Sequence, residues 1–264
     1  MASCSWKEDG LARAQAHSLL TPRLEINQKC QEKDFQFWLQ SKLCILPGEK
    51  ILDLACGDGA QSLYFARRTG PRGHVLSVDI NPESLASLKA RSEHLKNISI
   101  VESDMMSTSS YLNEESRGKF TLINCSFALP YADKPLDLVK ELADSLAICG
   151  RLAISLPVEP HGMVDFCSEV HSIPDSVRNS IQFGERHLLR YMRSLFAELD
   201  VYYFNDRITF ESSKDFMQIY TSSTYFCKDL ADKVEEEVNN NIRINGSISF
   251  TKGSILLIGK DYLF

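Results

Sequence analysis

The stretch ILDLACGDG, residues 51–59, decides the fold. Its first half is a short apolar run typical of a buried parallel strand. Its second half holds two glycines, Gly57 and Gly59, which let the backbone turn tightly and approach a ligand without a Cβ in the way. A helical pattern at 60–68 follows and would place unpaired N–H groups and a positive dipole end at this turn. Asp53 adds a carboxylate that can meet a cationic amino group directly or through water.

Apolar strand-like runs and helical patterns alternate from residue 50 to residue 157. Beside the first strand at 50–55, buried strands are predicted at 74–79, 98–102, 120–124 and 151–156. Helices are predicted between them at 60–68, at 82–95 after an Asn81 N-cap, and at 134–148 up to Gly150. This alternation predicts an α/β fold with a parallel sheet covered on both faces, whose ligands bind beyond the carboxyl ends of the strands.

The flanking parts of the chain predict additions to this core. Residues 2–27 show no clear period, and the pattern around Pro174 is ambiguous. Helices are predicted at 28–45, 185–199, 214–220 and 226–240, with strands at 200–210 and 247–260 and a hairpin near 252–253. We therefore predict four segments: an N-terminal helical cap at 1–48, a binding core at 49–157, a helical cap insertion at 158–198, and C-terminal strands at 199–264 with a helical insertion at about 211–245.

Two further acidic residues follow the second and third predicted strands. Asp79 lies about 20 residues after the glycine turn, where a carboxylate can accept from both hydroxyls of a ribose, and Ile80 can lie against an adenine. Asp104 can accept from an adenine amino group, and a neighbouring backbone N–H can donate to the ring. The three carboxylates, in this strand order, predict an adenosyl-binding crevice.

A dinucleotide is a poorer fit to the glycine turn. The dinucleotide fingerprint needs a third glycine where Ser62 stands. Asp53 and Asp58 would also lie unfavourably beside a pyrophosphate. This disfavours an NAD-dependent oxidoreductase and favours a ligand with an amino acid group and a sulfonium.

With these motifs the chain resembles the class I S-adenosylmethionine-dependent methyltransferases, in the broad group that acts on small molecules, such as the biotin-pathway and ubiquinone-pathway enzymes. The resemblance covers roughly residues 50–157 and, more loosely, the C-terminal strand pair. It implies a Rossmann-like seven-stranded, mostly parallel sheet with helices on both faces and a helical cap. The last strand, within 254–260, would run antiparallel between its neighbours. The implied cofactor is S-adenosylmethionine, and the product is S-adenosylhomocysteine.

The resemblance also implies a role for each residue of the crevice. The methionine part would be contacted by Asp53, Ala55, Gly57 and Gly59, and the ribose by Asp79. The adenine would be contacted by Asp104 and Met105, with Ile80 against one face. The methyl group would lie beside Asn124 and Cys125, followed by Ser126. Two positions depart from the family pattern. Ala55 replaces the usual first glycine, and Leu129 stands near a position where several relatives carry a histidine.

Methyl transfer from a sulfonium is an in-line displacement, so positioning does much of the work. A general base is needed only if the acceptor is a neutral hydroxyl, an acidic C–H or a protonated amine. The candidate bases are His161, His171, His187 and Tyr131, with Tyr191 comparable to the last. A lone histidine is, however, more often a surface or a satisfied core residue.

The acceptor is expected to be a small-molecule metabolite, including one of secondary metabolism, methylated at an O, N or C atom. Arg186 and Arg190 lie on one face of the 185–199 helix and can hold an anionic acceptor group, or can simply form a solvated face. Trp38 belongs to a set of aromatic residues outside the core that predict an enclosed apolar pocket. The alternative for these aromatic residues is ordinary core packing.

Composition narrows the class of partner. The 264-residue chain has a net charge of −6, which disfavours nucleic acid or an anionic membrane as partner. Its eight cysteines show no metal-ligand spacing, and the expectation is reduced thiols, a cytoplasmic protein and no metal. No apolar run is long enough to span a bilayer. The oligomeric state, monomer or homodimer, stays open, as do an RNA or protein methyltransferase and a cofactor-binding protein without methyl transfer.

Overall fold

The computed structural model describes residues 17–112 and 118–263. The described chain forms two compact units. The first unit comprises 17–34, 157–182 and 204–254, and the second comprises 35–156, 183–203 and 255–263. The predicted first segment, 1–48, contributes to both units. The predicted segment boundaries stay predictions.

The strands belong to one seven-stranded sheet. In chain order they are β1 Lys50–Leu54, β2 His74–Asp79, β3 Ile98–Glu102, β4 Phe120–Ser126, β5 Leu146–His161, β6 Phe196–Phe210 and β7 Ile248–Tyr262. Their order in the sheet is β3-β2-β1-β4-β5-β7-β6. The pairs β1–β2, β2–β3, β1–β4 and β4–β5 are parallel. The predicted α/β class and seven-stranded sheet are confirmed, and so is the position of the last strand between two others.

Ten helices flank these strands in the described chain. They are α1 His17–Cys30, α2 Phe35–Leu43, α3 Ala60–Thr69, α4 Pro82–Ser92, α5 Pro135–Ala143, α6 Gly162–Val170, α7 Asp175–Phe183, α8 Leu189–Leu195, α9 Ser213–Thr221 and α10 Ala231–Asn245. The side chain of Asn81 accepts from Ser84 N–H, so the predicted N-cap of α4 is confirmed. None of these helices is long and apolar enough to cross a membrane.

The order of the strands places the switch point of the sheet at the end of β1. Leu54 of β1 lies beside Val78 of β2 on one side and beside Cys125 of β4 on the other. The chain order therefore reverses between β1 and β4, where open α/β sheets leave a crevice beyond the carboxyl ends of the strands. The glycine turn of residues 55–59 follows β1 directly into this crevice.

The N-terminal helices differ from the prediction of one helix at 28–45. Helix α1 lies mostly in the stretch that shows no clear period, and the chain breaks before α2. At the break, Gln31 forms an isolated β-bridge with Ile208, and Glu32 N–H donates to Arg207 C=O at 3.0 Å. Pairing with β6 in the first unit, a contact remote in sequence, interrupts the helical pattern.

The region around β5 was also predicted wrongly. Helix α5 ends at Ala143 rather than near 148, and β5 continues through Pro157 to His161. Gly150 lies within β5 rather than at a helix end, and a Cβ there would lie 2.7 Å from Phe120 C=O. Its missing side chain instead allows the strand to approach its neighbour β4 closely.

Two predictions about the C-terminal part differ from the structure. The predicted 185–199 helix is confirmed over residues 185–195, as a π-helical turn at Gly184–Leu188 followed by α8, but β6 begins at Phe196. The predicted hairpin near 252–253 is continuous strand β7. A Cβ at Gly253 would lie 2.7 Å from Val158 C=O, so close strand packing explains this glycine.

Many aromatic residues predicted to line a pocket pack against each other in the first unit. Phe216 is fully buried, and its ring centroid lies 5.8 Å from those of Phe166 and Phe250. Tyr220 is also fully buried and stacks on Phe216 at 6.2 Å. These contacts support the alternative of core packing for this group.

Candidate active site

The turn after β1 adopts a backbone conformation that favours glycine. Ala55, Gly57 and Gly59 have φ values of 55°, 55° and 80°. Cys56 N–H donates to Val78 C=O at 3.0 Å, which ties the turn to β2. Ala55 therefore takes the left-handed conformation itself, at a cost of roughly 1 kcal/mol, and forms the turn for which the resemblance implies a glycine.

Gly59 is required by packing as well as by its backbone. A Cβ at this position would lie 2.2 Å from Cδ1 of Leu88, a fully buried residue of α4. Leu63 N–H donates to Gly59 C=O at 2.9 Å, so the same residue also starts α3. The missing side chain allows α3 and α4 to meet, a reason that the sequence pattern did not reveal.

Asp79 joins the glycine turn to the start of α4. One carboxylate oxygen accepts from Gly57 N–H at 2.7 Å, and the other accepts from Asn81 N–H at 2.9 Å. Its backbone C=O also accepts from Ser103 N–H at 2.9 Å. A carboxylate has about four acceptor sites, so both oxygens can accept further hydrogen bonds. Asp79 thus links the ends of β1, β2 and β3, and its own carboxylate is partly exposed.

Asp53 lies beneath the turn in a buried polar network. It is 2% exposed, and its two oxygens accept from Ser62 Oγ at 2.5 Å and from Asn124 Nδ2 at 2.8 Å. Ser77 Oγ donates to Ser62 Oγ at 2.8 Å. Because both oxygens are buried and hydrogen-bonded, we expect Asp53 to influence a ligand in the crevice mainly by its charge and by supporting the turn above it.

Burial raises the pKa of Asp53 to about 6, although the hydrogen bonds from Ser62 and Asn124 oppose this rise. Because the folded pKa lies above the ordinary value of 3.8, the protonated form favours folding. This contribution to stability is fully present below pH 3.8 and is lost as the pH rises through about 6. Ionised Asp53 is thus retained near neutral pH at a cost in stability.

Replacing Ser62 by alanine should raise the pKa of Asp53 further, because Ser62 donates to the ionised carboxylate. A hydrogen bond to a charged group contributes about 1.5 kcal/mol, which corresponds to a rise of about one pH unit. Carboxyl-carbon NMR titration measures this pKa. Ser145→Ala is the control, since Ser145 is also buried but donates to Glu141 C=O. An unchanged Asp53 titration in Ser62→Ala would refute the role given to Ser62.

The other predicted cofactor contacts lie at the ends of the same strands. Ile80 is 42% exposed directly after β2. The Asp104 carboxylate is exposed and accepts from Met106 N–H at 2.7 Å. Met105 C=O accepts from the hydroxyl of Tyr111. Asp58 forms an ion pair with Arg91 at 2.8 Å, so its charge is compensated within the protein.

The end of β4 is more buried than the sequence suggested. Asn124 is 1% exposed, and its amide supports Asp53. Cys125 is fully buried, and burial raises the pKa of its thiol to about 12. Ser126 and Phe127 follow them and are both partly exposed, and Phe127 has a φ of 58°. No signal in the sequence marked Phe127, because its conformation depends on the fold.

The candidate bases lie in different surroundings. In the first unit, His171 Nδ1 lies 2.9 Å from Ser172 C=O, and its Nε2 lies 2.8 Å from the Tyr220 hydroxyl. His161 Nδ1 is buried without a hydrogen-bond partner among the described residues, and burial lowers the pKa of this imidazole to about 4. His171 thus has the surroundings of a satisfied core residue, whereas His161 is partly exposed and its buried ring nitrogen lacks a partner among the described residues.

In the second unit, His187 and Tyr131 are more accessible. Tyr131 is 40% exposed. His187 is exposed, its ring lies 6.0 Å from that of Phe183, and both line a shallow groove with Lys134 and Asp137. Leu129, which stands near the position where the resemblance implies a histidine in several relatives, is fully buried.

The candidate substrate residues also belong to the second unit. Arg186 and Arg190 are exposed. Trp38 is partly exposed on α2, and its ring centroid lies 5.5 Å from that of Phe35. Phe35 in turn lies 5.1 Å from the ring of Phe127. The structure thus brings Trp38 close to the end of β4.

The glycine turn, Asp79, strands β2–β4 and β1 from Ile51 onward lie in a segment that matches a known family model. Residues 51–150 match the model described as "Methyltransferase domain". Residues 51–150 are a class I methyltransferase domain. The resemblance inferred from the glycine turn and the strand-end carboxylates is thereby confirmed.

Two curated relatives of the methyltransferase domain are enzymes whose names refer to small molecules. The chain is 30% identical over 125 residues to demethylmenaquinone methyltransferase of Lactobacillus johnsonii, covering 45% of this chain and 49% of the relative. It is 27% identical over 157 residues to ubiquinone biosynthesis O-methyltransferase of Acinetobacter baumannii, covering 59% and 57%. The matches thus span about half the length of these relatives.

A solved structure extends the similarity of the fold beyond the methyltransferase domain. The YcgJ protein from Bacillus subtilis superposes with a TM-score of 0.59 and 16% identity, covering 86% of this chain and 98% of that one. At this identity the likeness concerns the fold alone.

Proposed function

We propose that this protein binds S-adenosylmethionine at the crevice after β1 and transfers its methyl group to a small-molecule acceptor. The observation that carries the proposal is Asp79, whose carboxylate holds Gly57 N–H and Asn81 N–H while retaining acceptor sites. A carboxylate fixed in this way beside a glycine turn suits the two hydroxyls of a ribose.

The residues around Asp79 fit the remaining parts of the cofactor. Ile80 offers an exposed apolar side chain for one face of the adenine, and Asp104 offers a carboxylate for its amino group. The charge of Asp53 lies below the turn, where it attracts a cationic amino acid group or sulfonium. Although Arg91 neutralises Asp58, the carboxylates of Asp53, Asp79 and Asp104 keep the charge of this set acidic, which suits a cation better than a pyrophosphate.

When bound, S-adenosylmethionine supplies an activated methyl group, and the protein supplies position and exclusion of water. Ala55 and Gly57 present backbone rather than bulky side chains to the cofactor, and Asp79 and Asp104 orient it. Among the candidate bases, His187 has an exposed ring in the same unit as the glycine turn. It is the first residue to test if the acceptor must lose a proton.

A small molecule is the acceptor that the relatives support, because the names of the two curated relatives refer to quinones. The net charge of −6 further disfavours nucleic acid as acceptor. All seven cysteines in residues 17–112 and 118–263 are free thiols, which agrees with a cytoplasmic protein.

Calorimetry with S-adenosylmethionine and S-adenosylhomocysteine tests the proposal. We expect both to bind, and the affinity for S-adenosylmethionine to weaken as the pH falls through about 6, where Asp53 becomes protonated. Asp53→Asn should weaken binding about tenfold at pH 7.5, as expected for a lost charge interaction of about 1.4 kcal/mol, and should remove this pH dependence. Absence of binding by the wild-type protein between pH 6.5 and pH 8 would refute the proposed function.

A further inference from the structure

The first turn of α2 contacts both sides of the switch point. On the β1 side, the side chain of Gln36 is hydrogen-bonded to that of Gln61 in the first turn of α3. On the β4 side, the ring of Phe35 lies 5.1 Å from that of Phe127, at an interplanar angle of 52°. All four residues belong to the second unit. The aromatic pair therefore lies where the acceptor must approach the methyl group, if the proposed function is correct.

Phe127 is held in a conformation that a large side chain rarely adopts. Its φ of 58° lies in the left-handed region, which costs a non-glycine residue roughly 1–2 kcal/mol. Its N–H donates to Ser155 C=O at 2.8 Å, so pairing with β5 maintains the conformation. Glycine would adopt this backbone without strain. A bulky residue retained in a strained conformation at a crevice points to a use for its side chain.

The aromatic wall, defined as Phe35, Trp38 and Phe127, consists of three partly exposed rings. The Phe35 and Trp38 rings are 5.5 Å apart, with an interplanar angle of 40°. Aromatic rings attract a flat aromatic guest through stacked or edge-to-face contacts, beyond the effect of buried area alone. A saturated ring of similar size gains the burial but not this contribution.

We propose that Phe127, supported by Phe35, binds a planar aromatic ring of the methyl acceptor and so selects aromatic over saturated acceptors. This inference rests on the proposed function and adds the substrate class. It makes Phe127 a specificity-determining residue, and it assigns no part in cofactor binding to the aromatic wall.

The test compares two probes of similar shape, 1-naphthol and its saturated counterpart decahydro-1-naphthol. NMR titration of the full chain, saturated with S-adenosylhomocysteine, measures the affinity for each probe. We expect the wild-type protein to prefer 1-naphthol about fivefold. Phe127→Leu should reduce the preference to less than about twofold, while Phe127→Tyr should retain it.

Two further variants separate this role from a structural one. Phe35→Leu removes the partner ring without altering residue 127 and should lower the preference partly. Phe37→Leu is the matched control, because Phe37 lies on the same helix but is 73% exposed, and it should keep the wild-type preference. Each variant should bind S-adenosylhomocysteine as the wild-type protein does.

The possible outcomes are distinct. Equal binding of the two probes by the wild-type protein, or an unchanged preference in Phe127→Leu and Phe35→Leu, overturns the inference. Binding of S-adenosylhomocysteine without binding of 1-naphthol overturns the inference and leaves the proposed function standing. Failure of the wild-type protein to bind S-adenosylhomocysteine overturns both.

Discussion

Asp79→Ala should weaken the binding of S-adenosylmethionine and S-adenosylhomocysteine about 100-fold or more. The substitution removes the proposed acceptor of two ribose hydroxyls, and each hydrogen bond to a charged group contributes about 1.5–3 kcal/mol. It also leaves Gly57 N–H and Asn81 N–H without the oxygens that hold the glycine turn against the start of α4. The ligand would therefore lose both a direct contact and an ordered turn. Calorimetry measures the affinities, and urea unfolding measures the accompanying loss of stability.

Asp104→Ala is the matched control for this experiment. Asp104 also follows a strand of the crevice, but its side chain is exposed and is hydrogen-bonded to one backbone N–H in the described chain. Asp104→Ala removes only the proposed hydrogen bond from the adenine amino group to this carboxylate. The affinity for both ligands should therefore weaken about tenfold. Equal small effects of the two substitutions would show that Asp79 is not the central ligand of the crevice.

Gly59→Ala should lower the free energy of unfolding by about 3 kcal/mol, from the left-handed backbone and from overpacking. The added Cβ would lie 2.2 Å from Cδ1 of fully buried Leu88, and the residue has a φ of 80°. Because Leu88 has no exposed surface to move into, helix α4 must shift away from the glycine turn. Urea or thermal unfolding measures the loss.

Gly48→Ala separates the two causes. Gly48 has a similar φ of 87°, but no atom lies within 4 Å of an added Cβ. Gly48→Ala should therefore lower the free energy of unfolding by about 1 kcal/mol, the contribution of the backbone alone. In a Leu88→Ala background, Gly59→Ala should likewise cost about 1 kcal/mol, because the space beside it has been opened. If Gly59→Ala still lowered the free energy of unfolding by about 3 kcal/mol in the Leu88→Ala background, the steric explanation would be refuted.

The sequence predicted the elements between β1 and β4 because each carries its own local signal. The apolar strand of 50–54, the paired glycines and the Asn81 N-cap all lie within a few residues of the structure that they specify. Asp53, Asp79 and Asp104 could be placed at strand ends for the same reason. Parallel pairing then brings those ends to one edge of the sheet.

Helix ends and the β5–β7 region were less predictable because contacts remote in sequence determine them. Pairing of Gln31 with Ile208 interrupts a helical pattern, and close packing of Gly150 against Phe120 C=O replaces a helix end by a strand. A local pattern does not contain the partner strand, so the same glycine is compatible with a helix end or with close strand packing.

Local sequence alone thus specified the α/β class, the glycine turn and the carboxylates of the crevice, since short-range periodicity and turn chemistry encode them. The folded chain alone determined the surroundings of those groups: the burial of Asp53 under Ser62 and Asn124, and the strained Phe127 beside Phe35. Burial, pKa and ring contacts depend on residues that are distant along the chain and become neighbours only when the sheet and helices pack.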